Sequence, residues 1–316
     1  MAAVTTAADE AAEAKANLAV ADEAVTEAIT NLAVADDAEE AAVMAEAAAE
    51  AAEQFYFSPA FLTVPLQQED RPSGWMGDFV VATERGAVPL DGLQYWLWQR
   101  RPPPPTTTRL PLILYLHGAS GRGADWRHLE SGLPRLLMTE DGEPSLLAGE
   151  NCIVVAPQCP TGTEWAKPKM CEALMALLAH IEETRGVQAS RRYVTGMSMG
   201  GLGCWQLCAR NPKVFAAALP ICGGGEPVFA PLLSHLPILF AHAEDDKVVP
   251  FSASQRLVDA LKQAGSTVAE LKRWRSAPGA ENESWCQGHN CWDACFRDGE
   301  VWTWLFRQEA ADAVAI

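Results

Sequence analysis

Residues Leu110–Leu116, Leu-Pro-Leu-Ile-Leu-Tyr-Leu, form an unbroken apolar run that stops at His117-Gly118. A strand with one face in water alternates apolar and polar side chains. A run with no polar position must instead be covered on both faces. Residues 152–156 make a second such run, and 93–98 reads as a further strand. Short apolar strands are also expected at 192–195, 215–221 and 237–241. Helical spacing marks 170–185 and 252–264, and 301–306 begins a terminal helix. Strands alternating with helices predict βαβ units, hence an α/β fold with a mostly parallel central sheet and helices on both faces. The stiff run Arg101-Pro102-Pro103-Pro104-Pro105-Thr106 cannot enter a sheet interior and is read as a connector.

Charge divides the chain in two. Residues 1–54 hold thirteen Asp/Glu against the single Lys15, a net −12 of the −17 of the whole chain, leaving −5 for the rest. This segment is Ala-rich, and neither Pro nor Gly precedes Pro59, so helix is the favoured local conformer. Asn17-Leu18-Ala19-Val20-Ala21-Asp22-Glu23-Ala24 recurs, nearly unchanged, fourteen residues later at Asn31–Ala38. That offset is two heptads, and Leu18, Leu32, Val20 and Val34 could line a thin seam. Two alternatives stand: a solvated or partly disordered tail, or a helix that docks on a partner or a second copy. The division is 1–54 for this low-complexity extension and 55–316 for the folded domain.

The acidic balance excludes phosphate-directed nucleic-acid binding, which needs clustered Lys and Arg, and disfavours an anionic membrane surface. No run approaches 18 apolar residues, so no membrane span is expected. Residues 1–54 match neither a secretory signal nor an Arg-rich transit peptide. Nine cysteines, an odd number in a chain with an ample core, suit a reducing compartment, and the cytoplasm is the expected location.

The chemistry concentrates in Tyr193-Val194-Thr195-Gly196-Met197-Ser198-Met199-Gly200-Gly201. This Gly-x-Ser-x-Gly follows a predicted strand and opens a predicted helix, the context of a nucleophile elbow. A serine on so sharp a turn is strained, and glycine at the flanking positions avoids collision. Serine needs a base. In this arrangement the chain order is Ser, then acid, then His. Of the six histidines, His117, His128 and His180 precede the serine, and His235 and His242 precede the best acid candidates. His289, in Gln287-Gly288-His289-Asn290, remains as the base. The acid should close the strand at 237–241, where Glu244, Asp245 and Asp246 follow.

His242-Ala243-Glu244-Asp245-Asp246-Lys247-Val248-Val249-Pro250 resembles the His-Gly-x-x-Asp-x-x-Val-Pro signature of α/β-hydrolase esterases, with Ala243 in place of glycine. By that spacing Asp246 is the acid and Asp245 the alternative. The segments 114–123, 155–160 with Trp165, 215–224, and 288–292 with 304–306 resemble, in the same order, those of the phospholipase/carboxylesterase and predicted-peptidase-like esterases related to dienelactone hydrolases. Dienelactone hydrolases use cysteine as nucleophile, whereas this chain has Ser198. The resemblance covers roughly 90–310 and implies the α/β-hydrolase fold with a triad of Ser198, Asp246 and His289. It also implies an oxyanion hole of the Ala119 and Met199 backbone N–H groups, and a pocket bordered by His117, Gly118, Trp165 and Trp292; Trp285 falls in a loop that should ring the same pocket.

The implied activity is cofactor-independent cleavage of a small-molecule carboxylic ester. Thioesterase, lysophospholipase and peptidase activity would use the same machinery, and a non-catalytic scaffold is the rival of another class. Cys286, His289, Cys291 and Cys295 crowd within ten residues, but their spacing matches no familiar zinc set, and no metal is expected. A disulfide within that loop is left open.

Overall fold

The computed structural model describes residues 67–68, 84–85, 93–99, 109–138, 146–278, 288–312, 314 and 316. The extension 1–54, the connector 101–106, Trp285 and Cys286 lie outside the described residues, as does the boundary at 55. The first two strands, β1 (Gln67–Gln68) and β2 (Glu84–Arg85), pair antiparallel as a separate ribbon.

The main sheet has seven strands: β3 (Tyr95–Gln99), β4 (Leu110–Leu116), β5 (Ile153–Pro157), β6 (Val187–Met197), β7 (Ala217–Ile221), β8 (Ile238–Ala243) and β9 (Ala269–Trp274). Their order is β3-β5-β4-β6-β7-β8-β9. Only β3 runs antiparallel to its neighbour; every other pairing is parallel. Among the described residues seven α-helices accompany it: α1 (Gly132–Met138), α2 (Pro168–Arg185), α3 (Met199–Arg210), α4 (Ala230–Leu233), α5 (Ser252–Gln263), α6 (Trp292–Arg297) and α7 (Gly299–Phe306). The expected α/β architecture is therefore present. No helix among the described residues is long and apolar enough to cross a membrane.

Strand β4 explains itself. Leu112, Leu114 and Leu116 point to one face and belong to the same buried cluster as Leu174, Leu177, Leu178 and Ile181 of α2 and Leu257, Val258 and Leu261 of α5. Ile113 and Tyr115 point to the other face, among Leu133 and Leu136 of α1, Phe296 of α6, and Trp302 and Leu305 of α7. Both parities are apolar because both faces carry helices.

Several elements go beyond the sequence expectations, β6, β9 and α6 among them. Strand β6 begins at Val187, five residues earlier than expected, because Leu110 pairs with Val187 before the register shifts between Leu110 and Leu112. The half-exposed Gln188–Arg191 stretch hides that start from an apolar search. Edge strand β9 (Ala-Glu-Leu-Lys-Arg-Trp) is largely polar and pairs only with β8. Helix α6 is one and a half turns long and too short to show periodicity.

Candidate active site

The C-terminal ends of β4, β6 and β8 converge, and the candidate residues lie on the loops that leave them. Ser198 sits between β6 and α3 with φ 56° and ψ −118°, a conformation costing a non-glycine residue about 1–3 kcal/mol. The surroundings over-determine it. The Ser198 N–H donates to the Ile221 carbonyl at 2.9 Å, and the Leu202 N–H donates to the Ser198 carbonyl at 3.1 Å. A Cβ on Gly196 would lie 2.6 Å from the Leu116 carbonyl oxygen, and one on Gly200 would overlap that same oxygen. Both glycines of Gly-x-Ser-x-Gly thus let the turn press against the end of β4.

Asp246 and His289 meet. His289 Nδ1–H donates to Asp246 Oδ2 at 2.6 Å; a carboxylate only accepts, so the proton belongs on Nδ1. The other nitrogen, Nε2, is buried and has no hydrogen-bond partner among the described residues, Ser198 included. Hydrogen bonds of this kind are often loose without substrate and tighten on binding. Trp292, the first residue of α6, packs edge-on to the His289 ring at 5.5 Å. Gly288 has φ +74°, and a Cβ there would strike the Asp245 backbone, so the glycine before the histidine is sterically required.

Asp246 is gripped from four sides. Oδ1 accepts the N–H groups of Val248 (2.8 Å) and Val249 (2.9 Å). Oδ2 accepts from His289 and also from His242 Nε2 at 3.0 Å. Burial alone would push this carboxyl up; the donors of His242, His289 and Val249 outweigh it and hold the group well below the ordinary carboxylate range. Asp245 is engaged elsewhere, accepting Ser276 Oγ–H at 2.6 Å and the Ala277 N–H at 3.1 Å. Of the two candidate acids, the structure brings Asp246 to the histidine.

On the opposite side, Gly118 lies beside Ser198: a Cβ there would be 3.7 Å from Ser198 Cβ. Ala119, next in line, is exposed and starts a short 3-10 turn over Ala119–Gly121. Met199 is the first residue of α3, where N–H groups have no intrahelical acceptor. Arg122 reaches over it, its Nε–H pointing at Met199 Sδ at 3.1 Å, which sets a guanidinium beside the helix N-terminus.

Two pocket assignments change character. Trp165 is fully buried, and its indole N–H donates to the His117 carbonyl at 2.9 Å, so it braces the loop instead of facing the opening. His117 is also fully buried, donating from Nδ1 to the Gly118 carbonyl (2.6 Å) and accepting the Cys159 N–H on Nε2 (2.9 Å). Burial pushes the His117 imidazole down to about 4 and that of neighbouring His128 to about 3.

Further contributors went unread in the sequence. Gln158 is buried and ties the loop after β4 together: it donates to the Gly121 carbonyl and Asp125 Oδ1 and accepts the Trp126 N–H. His242 opens the acid-bearing segment, yet chain order set it aside as a base. Cys222, buried with φ 41°, follows β7 and donates its N–H to the Ala241 carbonyl. Burial, then the neighbouring Cys291 thiol, pushes its own thiol well up, so it stays protonated. Cys291 and Cys295 are free thiols, which excludes a bond between them; Cys286 is outside the described residues.

Residues 159–278 match the Dienelactone hydrolase family. Among curated proteins no sequence matches the chain. Among solved structures, a thermostable esterase is 28% identical with a TM-score of 0.64, the match covering 73% of this chain and 63% of that one. The chain thus spans under two thirds of that protein's length. A ferulic acid esterase, 16% identical with a TM-score of 0.52, shares the fold over 72% of this chain and 97% of its own. Strand order, strained serine turn and family match together define an α/β-hydrolase-superfamily protein. The stretch similar to the Dienelactone hydrolase family has serine at the turn where the dienelactone hydrolases it resembles have cysteine.

Proposed function

We propose that this protein is a serine hydrolase that cleaves carboxylic esters through an acyl-enzyme on Ser198. The observation that carries this is His289, with Nδ1 held by Asp246 at 2.6 Å and Nε2 buried without a partner, in a fold that strains Ser198 onto a turn at the same end of the sheet. His289 Nε2 takes the Ser198 proton as Oγ attacks the ester carbonyl. The Ala119 and Met199 N–H groups receive the oxyanion, each such donor being worth about 2.7–4 kcal/mol in the transition state. The imidazolium then protonates the leaving alcohol. Water, deprotonated by the same nitrogen, releases the acid and restores Ser198. Asp246 fixes the ring and offsets its positive charge throughout.

Support for an ester substrate comes from the family match and from the thermostable esterase, the more similar of the two structures described. Thioesters and peptides could be opened by the same groups, so the substrate class has to be measured. A reducing, cytoplasmic setting belongs to the same proposal, on the strength of the odd cysteine count. The test is a panel of chromogenic acyl esters of graded chain length, run beside a thioester and a peptide, with Ser198→Ala as control. Ester turnover that vanishes in Ser198→Ala supports the proposal. Turnover that persists, or none with any substrate, overturns it in favour of another nucleophile or a scaffold.

A further inference from the structure

Asp246 Oδ2, the oxygen that holds His289, is shared with a second imidazole. His242 is fully buried at the end of β8, with Nε2 3.0 Å from Asp246 Oδ2 and 3.0 Å from the Val249 carbonyl. Both neighbours only accept, so Nε2 carries a proton. Nδ1 lies 2.8 Å from Ser254 Oγ, and that hydroxyl is 3.1 Å from the Gly223 carbonyl. Serine has one proton to give. Donated to Nδ1, it leaves His242 neutral; donated to Gly223, it requires Nδ1 to carry a proton and makes the ring a cation. A continuous chain therefore runs Ser254–His242–Asp246–His289, from α5 to the loop before α6.

Resting on the triad proposed above, we propose that His242 is a positioning residue for catalysis. Its Nε2–H pins Oδ2 in place and sets how much negative charge that oxygen presents to His289, while Ser254 selects the protonation state of its ring. A residue that merely filled space at the end of β8 would not need a donor aimed at the oxygen the base uses.

The surroundings leave few other groups to do this work. On its own loop His242 meets Asp246, and through it His289. From β9, Arg273 stands in register with His242 but pairs with Glu244 at the surface. From the end of β7, Cys222 interacts with Asp246 and stays protonated. The segment leading into α5 brings the Phe251 ring, edge-on at 5.8 Å, and α5 itself the Ser254 hydroxyl.

The test compares two polar replacements of similar bulk. Gln places its amide where Nε2 was and can still donate to Asp246. Asn reaches only the Nδ1 position and leaves Oδ2 without that donor. Both are assayed on the ester turned over best, with thermal midpoints and a fluorophosphonate active-site titration to count competent enzyme. His242→Gln is expected to keep kcat within about threefold, and His242→Asn to lose about 10- to 100-fold in kcat with KM within about twofold. Losing the donor leaves more charge on Oδ2, which holds the imidazolium form of His289 more firmly. The acid limb of kcat/KM should therefore move up by about one pH unit in His242→Asn and stay in place in His242→Gln. Ser254→Ala, which leaves both imidazoles intact, should give a shift in the same limb without loss of folded protein. If Gln and Asn behave alike per competent site, or both leave the limb unmoved, His242 is structural and the inference fails. If Ser198→Ala retains turnover, the triad itself is wrong, a failure distinguishable from this one.

Discussion

Two pairs of buried histidines lie near Ser198, and only one pair is hydrogen-bonded to a carboxylate. His117 and His128, with ring centroids 5.5 Å apart, bond to backbone groups: the Gly118 carbonyl and Cys159 N–H for one, the Ala156 carbonyl for the other. Burial keeps both neutral. His242 and His289 instead converge on Asp246 Oδ2. Desolvation with no carboxylate in hydrogen-bond reach keeps the first pair uncharged and makes each ring a fixed strut; the second pair shares one carboxylate oxygen. On the proposed mechanism, the loop after β4 supplies rigidity for the backbone donors, and the loops after β8 and before α6 supply the acid and the base.

The largest test of the contrast removes the carboxylate. Asp246→Asn should lower kcat by about 10⁴-fold, as loss of the acid does in a well-characterised serine protease, because His289 loses both orientation and charge compensation. Asp245→Asn should leave kcat within about threefold, since Ser276 and Ala277 occupy its oxygens. Steady-state kinetics on both variants would decide, and reversed results would transfer the acid to Asp245.

The neutral pair should announce itself in stability. In the unfolded chain both rings protonate near pH 6.5, whereas folded they resist until about 4 and about 3. The unfolded state therefore binds more protons between these limits. Stability should fall as pH drops from 6.5 toward 4, by on the order of 1 kcal/mol per pH unit for each ring. The depressed Asp246 carboxyl acts lower: its contribution is present above the ordinary carboxylate range and is lost as pH falls below it. Urea unfolding at pH 7, 6, 5 and 4 would show the slope. His117→Gln should reduce it by about half, since one of two titrating rings is gone.

A smaller effect follows from the brace beneath the loop. Trp165→Phe keeps an aromatic ring but removes the pyrrole part with the N–H that reaches the His117 carbonyl, and the buried acceptor left short of a donor alone costs about 1–3 kcal/mol. If Trp165 only braces the loop, kcat should fall a few-fold with KM little changed. A large KM change confined to bulky esters would return Trp165 to the pocket wall.

Much of this arrangement was legible in the chain because the physics involved is local. Leu110–Leu116 announces a doubly covered strand, and Gly196, Ser198 and Gly200 announce a turn pressed against its neighbour. His289 could be found by elimination, and Asp246 by its distance from Val249-Pro250. What stayed hidden depends on tertiary partners. β9 is a polar edge strand that becomes a strand only by pairing with β8. Trp165 looked like a pocket aromatic because loop position says nothing about which way an indole turns. His242, Ser254 and Gln158 matter through contacts spanning different elements, which no spacing rule encodes. Chain order, which set His242 aside as the base, also concealed its contact with Asp246.

The central claim is that Ser198, activated by the His289–Asp246 pair, becomes covalently acylated. Incubating the full-length protein with a fluorophosphonate and recording its intact mass tests that most directly. The expected result is one adduct per chain, mapped to the peptide containing Ser198, absent in Ser198→Ala and formed far more slowly in Asp246→Asn. An adduct on another residue, or a protein that stays unmodified while folded, would contradict it.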